Sequence, residues 1–308
     1  MKRLIALKTL AAWVLCASGV GLPPKWQPDW ATEKWDLRLT EPGAVREMIG
    51  KTWCGHVQGM CATTNSFYFS FHNQILKTDW LGRLQRWVPV ERHGGDICHW
   101  NGKLYTGVAL RPKTSADRKC ACVCVYDAET LKLLKMKRLE WVSGGDAITC
   151  LNGVLYFGIG YKPGDTTGRM VRFVKLDAET LEQIGEPIVV DLGVESSDGT
   201  QNLTTDGTYL YVNVYSPDET ANMPCFFVLD QNFNIVGRHV FGWRQGMDVV
   251  PGGKDGAVRF VYCTTANWMS QKEHPLLPVQ AVVQFADLKD GKFSDITRYI
   301  IFRKPIER

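Results

Sequence analysis

From residue 54 onward, apolar and polar residues alternate in short segments, with the two-residue period that is typical of β-strands. The segments at 120–126 (CACVCVY), 170–176 (MVRFVKL) and 224–229 (PCFFVL) each run directly into an aspartate. The segments at 131–136, 235–241 and 296–302 mix polar with apolar residues, as a strand with one face in water does. Because no long helical period accompanies them, the pattern predicts an all-β protein.

A turn phrase containing aspartate recurs along the chain. The sequence YDAETL at 126–131 returns as LDAETL at 176–181 and as LDQNF at 229–233, and TDWLG at 78–82 and ADLKD at 286–290 complete a set of five. Aspartate suits the first position of a turn because its carboxylate accepts hydrogen bonds from backbone N–H groups two residues on. The spacing of roughly fifty residues is the size of one propeller blade.

A second phrase lies before each of these turns and ends in a tyrosine. Its turn residues are Asn65, Asn101-Gly102, Asn152-Gly153, Asp206-Gly207 and Asp255-Gly256. Asn-Gly and Asp-Gly are strong hairpin signals because both residues tolerate the positive φ of a tight turn. Two hairpins per repeat give four strands, so we predict a β-propeller of four-stranded blades. Five blades are expected; the alternatives are six blades, with residues 25–53 forming most of another, and a two-sheet sandwich.

The first 21 residues predict a signal peptide, with a basic start at Lys2 and Arg3, an apolar stretch and a zone of small residues. The alternative is an N-terminal helix that packs on the fold, which Lys8 inside the apolar stretch favours. Residues 22–53 are rich in proline and tryptophan, and we interpret them as a strap across the propeller of residues 54–308. Its tryptophans are either apolar anchors or a stacking platform for sugars. We expect an exported protein, periplasmic or extracellular.

Charge and hydropathy narrow the set of partners. The formal net charge is +4, from 36 basic and 32 acidic residues scattered along the chain. Because there is no polybasic tract, we expect no nucleic-acid partner. No segment after the signal contains 18 consecutive apolar residues, so we expect no membrane association once the signal is removed. The sequence leaves the oligomeric state open.

Each predicted innermost strand opens with a polar residue beside a glycine. In a propeller these strand ends converge on the central channel. The first residues of the five inner strands predict a polar pocket, with His56, His93 and Arg244 near its rim. Its predicted lining residues are Gln58, Asp96, Asp146, Gln201, Asn202, Gln245 and Asp248. In one interpretation these residues only satisfy backbone groups and ordered water in the channel. In the other they bind a ligand, since ligand sites favour the mouths of closed β structures.

On the second interpretation, the protein binds a small polar ligand or a glycan at the channel. The ligand-binding residues would then be Gln58, Gln201, Asn202, Arg244, Gln245 and Asp248. An enzyme on the same face would catalyse either acyl transfer or a hydrolase or lyase reaction on glycans. It would use His56 or His93 as general acid or base, with Asp96 or Asp146 orienting it or acting directly. No organic cofactor is expected, and a channel-bound divalent cation such as calcium is compatible with these oxygens. A scaffold that binds another protein through an apolar rim is the third class.

The sequence Val57-Gln58-Gly59-Met60 resembles the Thr-Gln-Gly-Leu opening of glutaminyl-peptide cyclotransferases. Together with the phrases around Asp127 and Asp177, it makes the chain similar to exported bacterial five-bladed propellers of the cyclotransferase, NHL-like and quinoprotein-like kinds. The resemblance covers most of residues 54–302 and implies a five-bladed fold. For activity it implies acyl transfer on glutaminyl peptides. The cyclotransferases carry glutamates at later openings, where this chain has Asp96 and Asp146.

The chain has ten cysteines. Cys120, Cys122 and Cys124 alternate along one strand and therefore share a face, which is poor geometry for a disulfide. Because paired Cys-x-x-Cys motifs are absent, the spacing does not indicate a zinc site either. We expect the cysteines, among them Cys61, Cys98, Cys150 and Cys225, to act as small apolar core residues.

Overall fold

A computed structural model describes the greater part of the propeller region and a short segment before it. The described residues are 44–47, 57–90, 94–110, 120–142, 145–161, 168–196, 199–215, 224–241, 245–253, 255–264, 279–294 and 297–303. These residues form strands, turns and loops, and none of the described segments is a helix that could cross a membrane. The predicted signal peptide lies outside them.

The strands form five sheets, which we call blades 1 to 5, each with four antiparallel strands in chain order from the inside outward. Blade 1 comprises β2 (Val57–Ala62), β3 (Ser66–Phe71), β4 (Gln74–Asp79) and β5 (Leu84–Pro89). Blade 2 comprises β6 (Gly94–Trp100), β7 (Lys103–Leu110), β8 (Cys120–Asp127) and β9 (Leu133–Leu139). Blade 3 comprises β10 (Ile148–Leu151), β11 (Val154–Tyr161), β12 (Met170–Asp177) and β13 (Ile188–Asp191).

The last two blades follow the same order. Blade 4 comprises β14 (Thr200–Thr205), β15 (Leu210–Val214), β16 (Phe226–Leu229) and β17 (Ile235–His239). Blade 5 comprises β18 (Gly246–Val250), β19 (Val258–Thr264), β20 (Val279–Lys289) and β22 (Thr297–Arg303). Two short strands, β1 (Ala44–Glu47) and β21 (Lys292–Phe293), join the sheet of blade 5.

The hydrophobic core consists of five clusters, and each cluster lies between two neighbouring blades. The cluster between blades 5 and 1, for example, packs Val283 and Phe285 against Phe67 and Phe69. The inner strands also contact one another in sequence, and β18 of blade 5 contacts β2 of blade 1. The ring is therefore closed by packing between blades. The five-bladed propeller is confirmed, and the sandwich and six-blade alternatives are wrong.

Within the predicted strap, residues 44–47 are described, and they form a strand that joins the sheet of blade 5. Strand β1 pairs in parallel with β22, with Ala44 opposite Ile300, on the outer edge of blade 5. The donated strand therefore lies at the outer edge of the ring and not at the inner seam between blades 5 and 1. The tryptophans of residues 22–53 lie outside the described residues.

The predicted turns form as their sequences require. Asp127 Oδ1 accepts hydrogen bonds from the backbone N–H groups of Glu129 (3.1 Å) and Thr130 (2.7 Å). Asn101 and Gly102 both have positive φ, at 47° and 70°, as a tight hairpin between β6 and β7 requires. The hairpin interpretation is thereby confirmed for these repeats.

The fifth predicted aspartate turn, at Asp287, is at the wrong position. Asp287 lies inside β20, where its carboxylate pairs with the guanidinium of Arg259 at 2.6 and 2.7 Å. The hairpin turn falls at Asp290-Gly291, where both residues have positive φ. Strand β20 has 11 residues, so it continues past the point at which the third strands of the other blades end.

Eight cysteines lie in the described part of the chain, and all of them are free thiols. All are buried except Cys150, which is half-buried. Burial raises the pKa of Cys122 to about 12 and that of Cys124 to about 11. These thiols therefore stay protonated near neutral pH, and their expected role as small core residues is confirmed.

Candidate functional site

The candidate site is the end of the channel at which the five inner strands begin. At this end the glycines are required by close packing between blades. A Cβ atom on Gly59 would lie 2.5 Å from the Cα of Asp96 in the next blade. A Cβ atom on Gly246 would lie 2.2 Å from the backbone nitrogen of Met60. The glycine of the opening motif is thus a consequence of the fold, and the chemistry lies in its polar neighbours.

Asp96 is the most central of these polar neighbours. Its side chain is fully buried, and Oδ2 accepts hydrogen bonds from the N–H of Leu203 (2.9 Å) and the N–H of Ile148 (3.4 Å). Its own backbone N–H donates to the carbonyl of Asp146 at 2.8 Å. In the part of the chain that the structure describes, the second carboxylate oxygen, Oδ1, has no hydrogen-bond partner. A single carboxylate thus links blades 2, 3 and 4 and leaves one acceptor unused.

The environment of Asp96 favours its neutral form. Burial raises the pKa of this carboxyl well above its ordinary value, and the nearby Asp248 raises it further. The N–H groups of Leu203, Ile97 and Ile148 oppose this effect only in part, because a hydrogen bond to the anion stabilises it. Within the described ranges, no cationic side chain pairs with either carboxylate.

Asp248 makes a second link across the channel. Its Oδ2 accepts a hydrogen bond from the N–H of Ala62 in blade 1 at 2.9 Å. Its Oδ1 accepts from the hydroxyl of Thr204 in blade 4 (2.7 Å) and from the N–H of Val249 (2.9 Å). Burial nevertheless raises the pKa of Asp248 to about 6, since three hydrogen bonds compensate desolvation incompletely.

Gln201 adds an amide to the same lining. It is fully buried, and its Nε2 donates to the carbonyl of Gln58 and to Oε1 of Gln245, both at 3.4 Å. Among the described residues, none donates a hydrogen bond to its Oε1. Buried acceptors are ordinarily satisfied by protein or ordered water, so this oxygen is available to a donor at the site.

The structure describes seven of the predicted site residues, and all of them lie on or directly before the inner strands of their blades. The fully buried ones are Gln58, Asp96, Gln201, Asn202 and Gln245, and the half-buried ones are Asp146 and Asp248. The carboxylate of Asp146 lies beside Gly95, where a Cβ atom would come within 3.1 Å of Oδ1. His56, His93 and Arg244 lie outside the described residues, so their predicted roles stay predictions.

Thr204 is a functional neighbour that the sequence did not reveal. Its hydroxyl donates to Asp248 and also accepts the N–H of Val249 at 3.1 Å, so it holds the carboxylate in place. A signal was present, since Thr204 follows Asn202 by two residues and shares its strand β14. Threonine is common in strands, however, and this spacing alone does not separate a channel residue from an ordinary one.

In the described ranges, no cluster of three or more His, Cys, Asp or Glu side chains is arranged to hold a metal ion. The oxygens of Asp96 and of the neighbouring amides are nevertheless ligands of the type that calcium prefers. Calcium in the channel therefore stays a prediction based on one carboxylate and amide oxygens.

Comparisons with known proteins give distant structural similarities only. No family model matches the sequence, and no curated protein matches it either. A crystal structure of a protein of unknown function from Bacteroides caccae is similar at 11% identity and a TM-score of 0.48, over 80% of this chain and 85% of that chain. A GH43_1 enzyme from Xanthomonas citri is similar at 12% identity and a TM-score of 0.49, over 80% of this chain and 92% of that chain.

A third similar structure is CoXyl43, a GH43 β-xylosidase/α-arabinofuranosidase from a compost microbial metagenome, in complex with xylotriose. It has 11% identity and a TM-score of 0.49, over 83% of this chain and 98% of that chain. Similarities this low carry no argument about function. Membership in the cyclotransferase family therefore stays a prediction, while the five-bladed architecture implied by that resemblance is confirmed.

Proposed function

We propose that this protein is an exported binding propeller that holds a small, hydroxyl-rich ligand of the carbohydrate class at the candidate site. The observation that supports it is a pair of buried oxygens with no hydrogen-bond donor among the described residues, Asp96 Oδ1 and Gln201 Oε1. Sugar hydroxyls are donors as well as acceptors, so they satisfy such oxygens and also bond to the amide groups nearby.

The chemistry of the lining favours a neutral ligand over an anion. Two carboxylates lie within electrostatic reach of each other, since Asp248 raises the pKa of Asp96. An anion placed here would be repelled by any ionised carboxylate.

An enzyme on the same face is the second candidate function. The observation that favours it is the pKa of about 6 for Asp248, beside Asp96, whose pKa is also raised. A carboxyl that is protonated close to neutral pH can act as a general acid. Ammonia release from N-terminal glutaminyl peptides and hydrolysis of aryl glycosides test the two reaction types, and loss of either activity in His56→Gln or His93→Gln would assign the base.

Binding is tested by calorimetry and thermal shift with neutral monosaccharides, calcium chloride and an N-terminal glutaminyl peptide. The decisive variant is Asp96→Asn, which keeps an oxygen for the N–H groups of Leu203 and Ile148 and puts an NH₂ donor where Oδ1 was. The matched control is Asp191→Asn, which makes the same change at an exposed ion pair with Arg169.

We expect a monosaccharide to bind the wild type and the Asp191→Asn control, and to bind Asp96→Asn at least about ten-fold more weakly. Equal binding to all three proteins would contradict the proposal. A response to calcium alone that is lost in Asp96→Asn would replace the sugar site by a cation site.

A further inference from the structure

The hairpin tyrosines of the repeat differ in how far they are buried. Tyr68, Tyr105 and Tyr211 occupy equivalent positions and are buried, with at most 3% of each residue exposed. Tyr262 is also buried, but it packs beside Tyr211 between blades 4 and 5, so its position is not equivalent. Tyr156, at the equivalent position in blade 3, is half-buried. Its ring borders the cleft between blades 3 and 4, at the opposite end of the inner strands from the channel site. Tyr156 is therefore covered less completely than the three equivalent tyrosines.

The equivalent cleft, between blades 2 and 3, is closed by two side-chain contacts. Trp100, just before the first hairpin turn of blade 2, lies against Gly153. A Cβ atom added to Gly153 would lie 3.4 Å from the indole ring. Lys103, just after the same turn, forms an ion pair at 2.5 Å with Glu179 in the LDAETL turn of blade 3. An indole and an ion pair together cover this end of the cleft.

Both covering residues are replaced in the next cleft. The repeat puts Leu151 where blade 2 has Trp100, and Val154 where blade 2 has Lys103. The partner turn is also one residue shorter, LDQNF instead of LDAETL. Phe233 ends the shorter turn with φ of 62°, the left-handed conformation that Leu181 (φ 64°) adopts in blade 3, so the two positions are structurally equivalent.

The result is an open groove of about 220 Å³. We call it the blade 3–4 groove, and it is lined by Leu151, Asn152, Val154, Tyr156, Thr208, Leu210, Gln231 and Phe233. The rings of Tyr156 and Phe233 lie 5.7 Å apart between centroids and are tilted by 46°. Asn152 and Gln231 are exposed and carry amides that can both donate and accept. The lining contains no charged side chain.

We propose that the blade 3–4 groove is a second binding site, for one neutral sugar ring. A pyranose has an apolar C–H face that packs on an aromatic ring and hydroxyls that bond to amides at the edge. The uncharged lining selects a neutral ring, since a charged sugar would lose solvation without gaining a partner. At about 30 Å³ per water, the volume corresponds to roughly seven waters, which suits one ring and not an oligosaccharide.

The aromatic side chain of a peptide is the competing occupant. It would fill the apolar part of the groove, but it has few groups to bond with Asn152, Gln231 and Thr208. Covering those polar side chains without giving them partners weakens binding. The polar edge of the groove therefore favours the sugar. This site is independent of the channel proposal, since the two share no residue.

The experiment uses the full chain and two neutral probes, methyl β-D-glucopyranoside and methyl β-D-xylopyranoside, in calorimetry and amide NMR. Leu151→Trp restores the cover seen in blade 2 and fills the groove. Asn152→Gly removes one amide while tolerating the φ of 53° at this turn. The matched control is Leu134→Trp, the same type of substitution on the exposed outer strand of blade 2, where Leu134 is 51% exposed.

We expect at least one probe to shift the side-chain amide signals of Asn152 and Gln231 in the wild type and in Leu134→Trp. Leu151→Trp should weaken binding about ten-fold or more, and Asn152→Gly roughly five-fold, as the loss of one hydrogen bond implies. Asp96→Asn should leave this binding unchanged, which separates the groove from the channel site.

Three results would overturn the proposal. The first is that neither probe shifts these signals. The second is that Leu151→Trp binds as tightly as Leu134→Trp. The third is that N-acetyl-tyrosine amide shifts the groove signals while both sugars do not, which would assign the groove to a peptide side chain.

Discussion

Asp96 on blade 2 accepts a hydrogen bond of 2.9 Å from the backbone N–H of Leu203 on blade 4, so one side chain reaches across the channel to a blade that is not its neighbour. The same oxygen also accepts the N–H of Ile148 on blade 3. A buried N–H without an acceptor is costly, and here two such groups depend on one carboxylate oxygen. Asp96 therefore has a structural role that does not depend on any ligand.

Replacing Asp96 by leucine should consequently destabilise the protein. Asp96→Leu leaves the N–H groups of Leu203 and Ile148 without an acceptor, which we expect to cost about 2–4 kcal/mol of unfolding free energy. Asp96→Asn keeps the acceptor and should stay within about 1 kcal/mol of the wild type. Urea unfolding of the three proteins measures this difference. Equal losses in both variants would show that the shape of the side chain, and not its acceptor, is what the channel needs.

Stability should fall as pH rises through the range in which Asp248 titrates. Its pKa is 3.8 in an ordinary setting and about 6 in the folded protein. Between these values the folded state retains a proton that the unfolded chain has lost, so raising the pH favours unfolding. A shift of about two units corresponds to about 3 kcal/mol, reduced here because Asp248 is only half-buried. The raised pKa of the neighbouring Asp96 acts in the same direction.

The check is the melting temperature measured from pH 4 to pH 8 at constant ionic strength. Asp248→Asn should flatten the slope between about pH 4 and pH 6, because it removes the titrating group. The lowered pKa values of the turn residues Asp127, Asp177 and Asp230 act at the acid end of this range in the wild type and in Asp248→Asn alike, so they cancel in the comparison of the two proteins. A melting temperature that rises with pH in this window would contradict the assignment.

Gly59→Ala should disturb the ring at the contact between blades 1 and 2. The added Cβ atom would meet the backbone of Asp96 at 2.5 Å, and a backbone atom cannot rotate away as a flexible side chain can. We expect a loss of about 2 kcal/mol or more in unfolding free energy. The control is Gly102→Asn, at a position with open space around it and a φ of 70° that asparagine tolerates. The same loss in both variants would rule out packing at Gly59 as the cause.

The fold could be predicted because its signals are local. Asn101-Gly102 and the turn at Asp127 act through their own backbone conformation and hydrogen bonds, so each hairpin is recognisable from a few residues. Five repeats of these signals then determine the number of blades. Asp287 shows the limit, because the same residue type lies within a strand when an arginine across the sheet, Arg259, pairs with it.

The candidate site could be predicted only in outline. Comparing the first residues of the five inner strands with one another predicted which side chains line the channel. It did not indicate that Asp96 reaches blade 4, because that depends on the width of a ring formed by all five blades. The blade 3–4 groove was visible in the sequence only as differences between repeats, such as Val154 in place of Lys103. Such a difference indicates a cavity only when it is also known which turn of the neighbouring blade faces Val154.

The parallel pairing of β1 with β22 bears on the order in which the molecule assembles. Ala44 lies opposite Ile300, so this contact joins positions about 250 residues apart, whereas each hairpin joins close neighbours in sequence. Closing so long a loop carries a large entropic cost, which is recovered only when blade 5 is already in place to receive the strand. During synthesis the strand at residues 44–47 therefore leaves the ribosome long before its partner, and its docking on blade 5 should be among the last steps of folding.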